Sequence, residues 1–162
     1  MAKNTINVKG FFRAQIVDKK GKIVGNSGWK ENTITVNGWS LGLAANAFKI
    51  ANSEQAAYGI LGKGSDAVAS NASSVISTLN SSSAAYISLA TQALTTAASG
   101  ASARVTFQYD GSLGSGDIMQ VCLHSAATTG GMMCGNTFSS SALATSQSCN
   151  ITYDLQFGTA AP

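Results

Sequence analysis

The sequence predicts a mainly β protein: an antiparallel β-sandwich with one short helix and a long Ser/Ala-rich excursion. Three observations predict it. Apolar and polar residues alternate with period two in separated stretches, above all at 6–16, 104–110 and 149–157, and that period with one polar face marks an antiparallel sheet buried on one side. Glycine-rich turns at 111–116 and 128–131 separate the later stretches at hairpin intervals. Apolar residues fall at helical spacing in the short window that follows Asn37-Gly38.

The elements follow in order. Ile6, Val8, Phe12, Ala14 and Ile16 share one face of a first strand, with Asn7, Lys9, Arg13 and Gln15 on the other. Asp18-Lys19-Lys20-Gly21 closes it as a turn whose glycine supplies positive φ, and Lys22 to Gly25 leads back. A short strand is expected at Thr33–Val36. Asn37-Gly38 ends it, and Trp39, Leu43, Ala47 and Ile50 then mark a helix over Gly38–Phe48. Residues 57–62 read as a buried strand running into the loop Lys63-Gly64-Ser65-Asp66. Residues 64–102 are low in complexity, with Val75, Ile76, Leu79, Tyr86, Ile87, Leu89 and Leu94 as isolated apolar anchors, and read as an arm or long loop lying on something. Val105, Phe107 and Tyr109 then alternate with polar neighbours, as do Met119, Val121 and Leu123. In the last strand Cys149, Ile151, Tyr153, Leu155 and Phe157 are all odd.

Length and composition bound the function. The 162 residues make one domain, 1–162. Ala, Ser, Gly and Thr supply 78 of them, while Leu, Ile, Val and Phe supply 34 and charged residues 17. So small a supply of bulky apolar residues barely offsets ordering entropy, which predicts that neighbouring subunits add to the burial. There is no run of 18 apolar residues and the first residues carry no apolar h-region, so neither a membrane span nor general export is expected. Cys122, Cys134 and Cys149, odd in number and without a C-x-x-C pair, predict reduced, partly buried thiols.

The candidate chemistry is thin. The one histidine, His124, has no Gly-x-Ser-x-Gly elbow to serve, so no enzyme is expected. Cys122 and His124 sit two apart on one strand face, a spacing open to metal ligation, but they read better as a subunit contact, and neither metal nor cofactor is expected. Gly59 to Ser65 lacks phosphate-loop spacing. Trp29 and Trp39 read as core or interface anchors. Charge is lopsided, net +5 over residues 1–31 and net −3 over 64–162. Lys9, Arg13, Lys19, Lys20 and Lys22 therefore read as a docking edge for an acidic protein surface. With a total of +3 and two arginines, nucleic acid is not the expected partner.

The order of these elements carries a resemblance. A strand pair ends in Gly28-Trp29-Lys30-Glu31-Asn32-Thr33-Ile34-Thr35 and leads to the helix Asn37-Gly38-Trp39-Ser40-Leu41-Gly42-Leu43-Ala44. A strand running into Leu61-Gly62-Lys63-Gly64 precedes the Ser/Ala-rich stretch. The chain closes on Gly116 to Leu123, Gly130-Gly131-Met132-Met133, Thr137-Phe138-Ser139 and Ile151 to Phe157. Over almost its whole length this layout resembles the small virion structural proteins of tailed bacteriophages. Where the resemblance implies Glu-x-Gly-Leu-Phe, this chain has Gln120-Val121-Cys122-Leu123-His124, which puts a thiol and an imidazole on that strand's outward face. The resemblance implies a capsid decoration (cement) subunit, with a tail, baseplate or fibre-associated subunit as the alternative. A carbohydrate-binding module using Trp29, Trp39 or Tyr109 is the alternative from another class. The implied partners are a major capsid protein or tail proteins and further copies of the chain, a trimer before a dimer, in a virion assembled in the host cytoplasm.

Overall fold

A computed structural model describes residues 7–44, 47–48, 54–73, 77–79, 86–97, 100–127 and 131–158. The predicted β character holds, and its antiparallel pairing holds throughout. Strands β1 (Val8–Val17), β2 (Ile23–Asn26), β3 (Lys30–Ile34), β4 (Tyr58–Gly62), β5 (Ile87–Ser88), β6 (Thr91–Ala97), β7 (Gly100–Asp110), β8 (Gly116–His124), β9 (Met132–Leu143) and β10 (Ser148–Gly158) form one sheet, in the order β5-β4-β8-β9-β3-β1-β10-β7-β6, with β2 paired to β1. In place of the two stacked sheets expected of a sandwich, this single sheet curls on itself into a half-barrel. The curl runs through β3, which pairs with β1 at Gly10↔Asn32, Phe11↔Glu31 and Phe12↔Lys30, then leaves it to pair with β9 at Thr33↔Gly135 and Ile34↔Cys134.

Local sequence explains the first turns. In β1 the buried positions are Gly10, Phe12, Ala14 and Ile16, the predicted face. Asp18 Oδ1 accepts from the amides of Lys20 (2.8 Å) and Lys22 (2.9 Å), and Gly21 takes φ +78°, the left-handed value its lack of Cβ allows. β2 and β3 are one return strand broken at Ser27-Gly28-Trp29. There Ser27 Oγ accepts from Ala14 N at 2.9 Å, so the ladder is continued by a side chain. The helix predicted at Gly38–Phe48 appears as α1 (Gly38–Ala44), wound as a π-helix; residues 45–46 lie outside the described residues. Thr35 fixes its start: its N donates to Met133 O (2.9 Å), its Oγ1 donates to backbone carbonyls of β9, and the same oxygen accepts from Gly38 N (3.2 Å). A Cβ on Gly38 would lie 2.1 Å from Met133 O, so only glycine lets α1 start this close to β9.

The concave face holds the main core. Phe12 packs edge-on to Phe138, with ring centroids 5.8 Å apart, and tilted against Tyr153 at 5.7 Å; Phe107, Tyr109, Ile118, Val121, Leu123 and Ile151 complete its centre. The final strand keeps its predicted face only in its first half, with Cys149, Ile151 and Tyr153 buried; beyond them Asp154 and Gln156 are buried while Leu155 and Phe157 are half-buried. In β8 the parity changes at a register shift between Ile118 and Gln120. Ile118 therefore shares the core with Val121, and Met119 is only half-buried.

Of residues 64–102, expected as an arm or long loop, the described part is largely tied to its own sheet. Val68 and Ala72 join Ile60, Cys122, Met132 and Tyr86 in a second, smaller apolar cluster on the convex face of β4, β8 and β9. Val36 N donates to Ser70 O (2.7 Å) and Gln120 Nε2 to Asp66 O (3.3 Å). Leu79 enters the main core and Ile87 and Leu89 pack against it. β6 pairs with β7 from Thr91↔Thr106 to Ala97↔Gly100. Of the anchors, Val75 and Ile76 lie outside the described residues, and Leu94 is exposed.

Candidate functional site

The proposed docking residues do not form one patch. Lys19, Lys20 and Lys22 are exposed together at the β1–β2 tip. Lys9 is exposed near the other end of β1, roughly 30 Å away at the rise of a strand. Arg13 lies between them and faces inward along the surface: its guanidinium stands 5.1 Å from the centroid of the Trp29 indole, and its Nε is buried without a hydrogen-bond partner.

Trp29 is the centre of a layered arrangement. Arg104, from β7, lies 5.8 Å from the same indole, so cations from two strands flank one aromatic ring. The strand between them is β10, since Arg13 pairs with Thr152 and Asp154 with Arg104. Asp154 is 2% exposed, and its Oδ2 accepts from Arg104 Nη2 at 2.6 Å, while its Oδ1 has no hydrogen-bond partner. A sugar would find Trp29 already occupied by guanidinium groups. Sequence reading placed Arg104 and Asp154 on polar strand faces but missed their pairing, because the register of β7 against β10 is not written in either strand alone.

Cys122 and His124 require a correction. Both were expected on an outward strand face, but both are fully buried. Strand β8 lies inside the sheet between β4 and β9. Its convex side is covered by Val68 and Ala72 beside Cys122 and by Tyr86, whose ring meets the His124 imidazole edge-on at 5.4 Å. The chain's own loop occupies the face predicted for a partner. Cys134 and Cys149 are buried too, and all three thiols are free. Burial pushes the Cys122 thiol well up and raises Cys134 and Cys149 from 9.0 to about 12. Such thiols stay protonated at neutral pH and are poor nucleophiles and poor metal ligands. Among the described residues no three His, Cys, Asp or Glu side chains group as a metal site.

Two features were not foreseen. The first is a half-open cavity of about 420 Å³ on the concave side, walled by β10, β7, β3 and β9 and bordered by α1 and residues 54–56. The second is a set of exposed apolar side chains around α1: Val36, Trp39 and Phe48 are 57%, 46% and 79% exposed. The helical spacing of Trp39 predicted a packed face, yet the helix meets β9 through glycine and leaves the indole outside. No described helix is long and apolar enough to cross a membrane. No protein family, curated protein or solved structure matches this chain.

Proposed function

We propose that this chain is a structural subunit of a tailed-phage virion that works through protein–protein contact, as a capsid decoration subunit assembled from copies of itself, a trimer before a dimer. The observation that carries the reading is the apolar set Val36, Trp39 and Phe48, which stands exposed on a surface with few charges. Large exposed apolar groups of this kind belong to contact surfaces. Two further apolar sites, Ile23-Val24 on β2 and Leu94 on β6, lie on sheet margins. The lysines at the β1–β2 tip would guide encounter with an acidic shell, a role that sets rate and register more than affinity.

A decoration subunit works by cohesion. Each standard contact buries on the order of 1,600 Å², and repetition over a shell multiplies the effect. The test has two parts. Light scattering on the purified chain should give a closed oligomer that Phe48→Ser with Trp39→Ser converts to a folded monomer; a monomeric wild-type chain at high concentration overturns the reading. Mass spectrometry of particles should then find copies in numbers comparable with the shell protein. A count of a few copies per particle would favour the tail, baseplate or fibre placement.

A further inference from the structure

A free sheet edge accepts any further strand through its unpaired N–H and C=O groups, and natural sheets blunt such edges with charge, proline, a bulge or brevity. Most margins of this sheet are blunted so. β5, at one end, is two residues long. β2 is four residues long, its ladder with β1 shifts register between Ile16 and Val17, and Lys19, Lys20 and Lys22 are exposed beside it. β9 runs on beyond its pairing with β3 at Gly135, and there its ladder with β8 shifts register between Ile118 and Gln120.

β6 has none of these guards. It ends the sheet and, among the described residues, pairs with β7 alone, in unbroken register over the seven residues Thr91–Ala97. No charged residue and no proline falls between Asp66 and Arg104. Ala93, Leu94 and Thr95 are all exposed, and since neighbouring strand residues point to opposite faces, the strand stands clear on both. Leu94, at its middle, is 73% exposed on the side of Ala103, its cross-strand neighbour in β7.

We infer that β6 is a self-pairing edge: two copies of the chain join β6 to β6, antiparallel, about a twofold axis at Leu94. Full overlap of the seven residues fixes that register. Leu94 then faces the partner's Leu94, Ala93 faces the partner's Thr95, and Thr91 faces the partner's Ala97. The occupant is a second copy because this edge meets itself without opposing like charges, and it carries no charge by which to select a charged partner. The two leucines cover each other on one face, and the backbone groups left open along β6 find partners. One seven-residue strand pair is smaller than a standard interface of about 1,600 Å², so the contact is weak alone and gains from copies already held together. It is separate from the α1 surface and does not rest on the virion reading.

Introduced cysteines read the register. The three native thiols are buried, so a cysteine placed in β6 of the full chain is the accessible one. Leu94→Cys, Ala93→Cys and Thr95→Cys chains, each checked for an unchanged urea midpoint, are oxidised with copper phenanthroline. The Leu94→Cys chain should crosslink to a dimer at least about tenfold faster than either other chain alone, because only directly opposed positions bring their Cβ atoms within disulfide reach. An equimolar mixture of Ala93→Cys and Thr95→Cys chains should crosslink faster than either does by itself. In sedimentation, the Phe48→Ser, Trp39→Ser chain should be a monomer when dilute and pass to a dimer as concentration rises. Adding Leu94→Lys, which sets like charges opposite each other, should keep it monomeric. The inference is overturned if Leu94→Cys crosslinks no faster than Thr95→Cys, if the mixture gives no gain, or if the concentrated chain shows no dimer or keeps it with Leu94→Lys. Loss of the α1 contact leaves the crosslinking pattern unchanged, so the two readings fail separately.

Discussion

The ring of Phe107 occupies the space that a side chain on Gly59 would need: a Cβ there would lie 2.2 Å from Phe107 Cε1 and 2.4 Å from two further ring carbons. The contact joins β4 to β7, strands far apart in the sheet order, and so closes the concave side. Gly59→Ala is therefore expected to cost about 2–3 kcal/mol by overpacking. Urea denaturation should show the loss, and Phe107→Leu placed in the Gly59→Ala background should recover part of it. If the two substitutions simply add, the strands do not meet through this pair.

The Arg104–Asp154 pair sets a second expectation. Arg104→Met leaves a carboxylate that is 2% exposed without its cation, and removing one partner of a pair buried on one side costs about 2–3 kcal/mol. The double variant Arg104→Met with Asp154→Leu should regain most of that stability. Trp29→Ala should destabilise the wild type more than it destabilises the double variant, because the indole stacks on Arg104. Equal losses in both backgrounds would separate the indole from the pair.

The buried thiols predict an alkaline limit. Cys134 and Cys149 are raised by burial from 9.0 to about 12, and burial likewise raises Cys122 and Tyr153. In the unfolded chain these groups lose their protons near their ordinary values, while in the folded chain they keep them. Stability is accordingly undiminished below about pH 9 and falls as pH climbs from there toward 12. Denaturant midpoints across that range should decline, and a Cys134→Ala, Cys149→Ala variant should decline less steeply. Thiol reagents at neutral pH should label the native protein slowly and the unfolded chain at once.

How far the sequence could be read depends on whether each element carries its own pattern. β10 was legible because five alternate apolar residues, Cys149 to Phe157, can share a face only as a strand. The β1–β2 turn was legible because Asp18 and Gly21 act within four residues. β6 was not, since Thr, Ala and Leu without alternation become a strand only by pairing with β7. Burial of Cys122 and His124 depends on Val68, Ala72 and Tyr86, tens of residues earlier, folding back over β8. The cavity on the concave side comes from curvature, which period-two alternation does not encode; the same alternation serves a flat sandwich and a curled sheet equally well.

β3 belongs to both halves of the sheet, and this gives the molecule a weakest stitch. β1 and β10 are laced by ten residue pairs, whereas β3 is fastened to β9 by two, Thr33↔Gly135 and Ile34↔Cys134, with Thr35 N to Met133 O just beyond them. A fluctuation that parts these few bonds opens the sheet along this line while each half keeps its own ladder and the core contacts between them remain. Among the joints between interior strands local opening is easiest there, so the amides of Thr33, Ile34 and Gly135 are expected to exchange with solvent before those of β10.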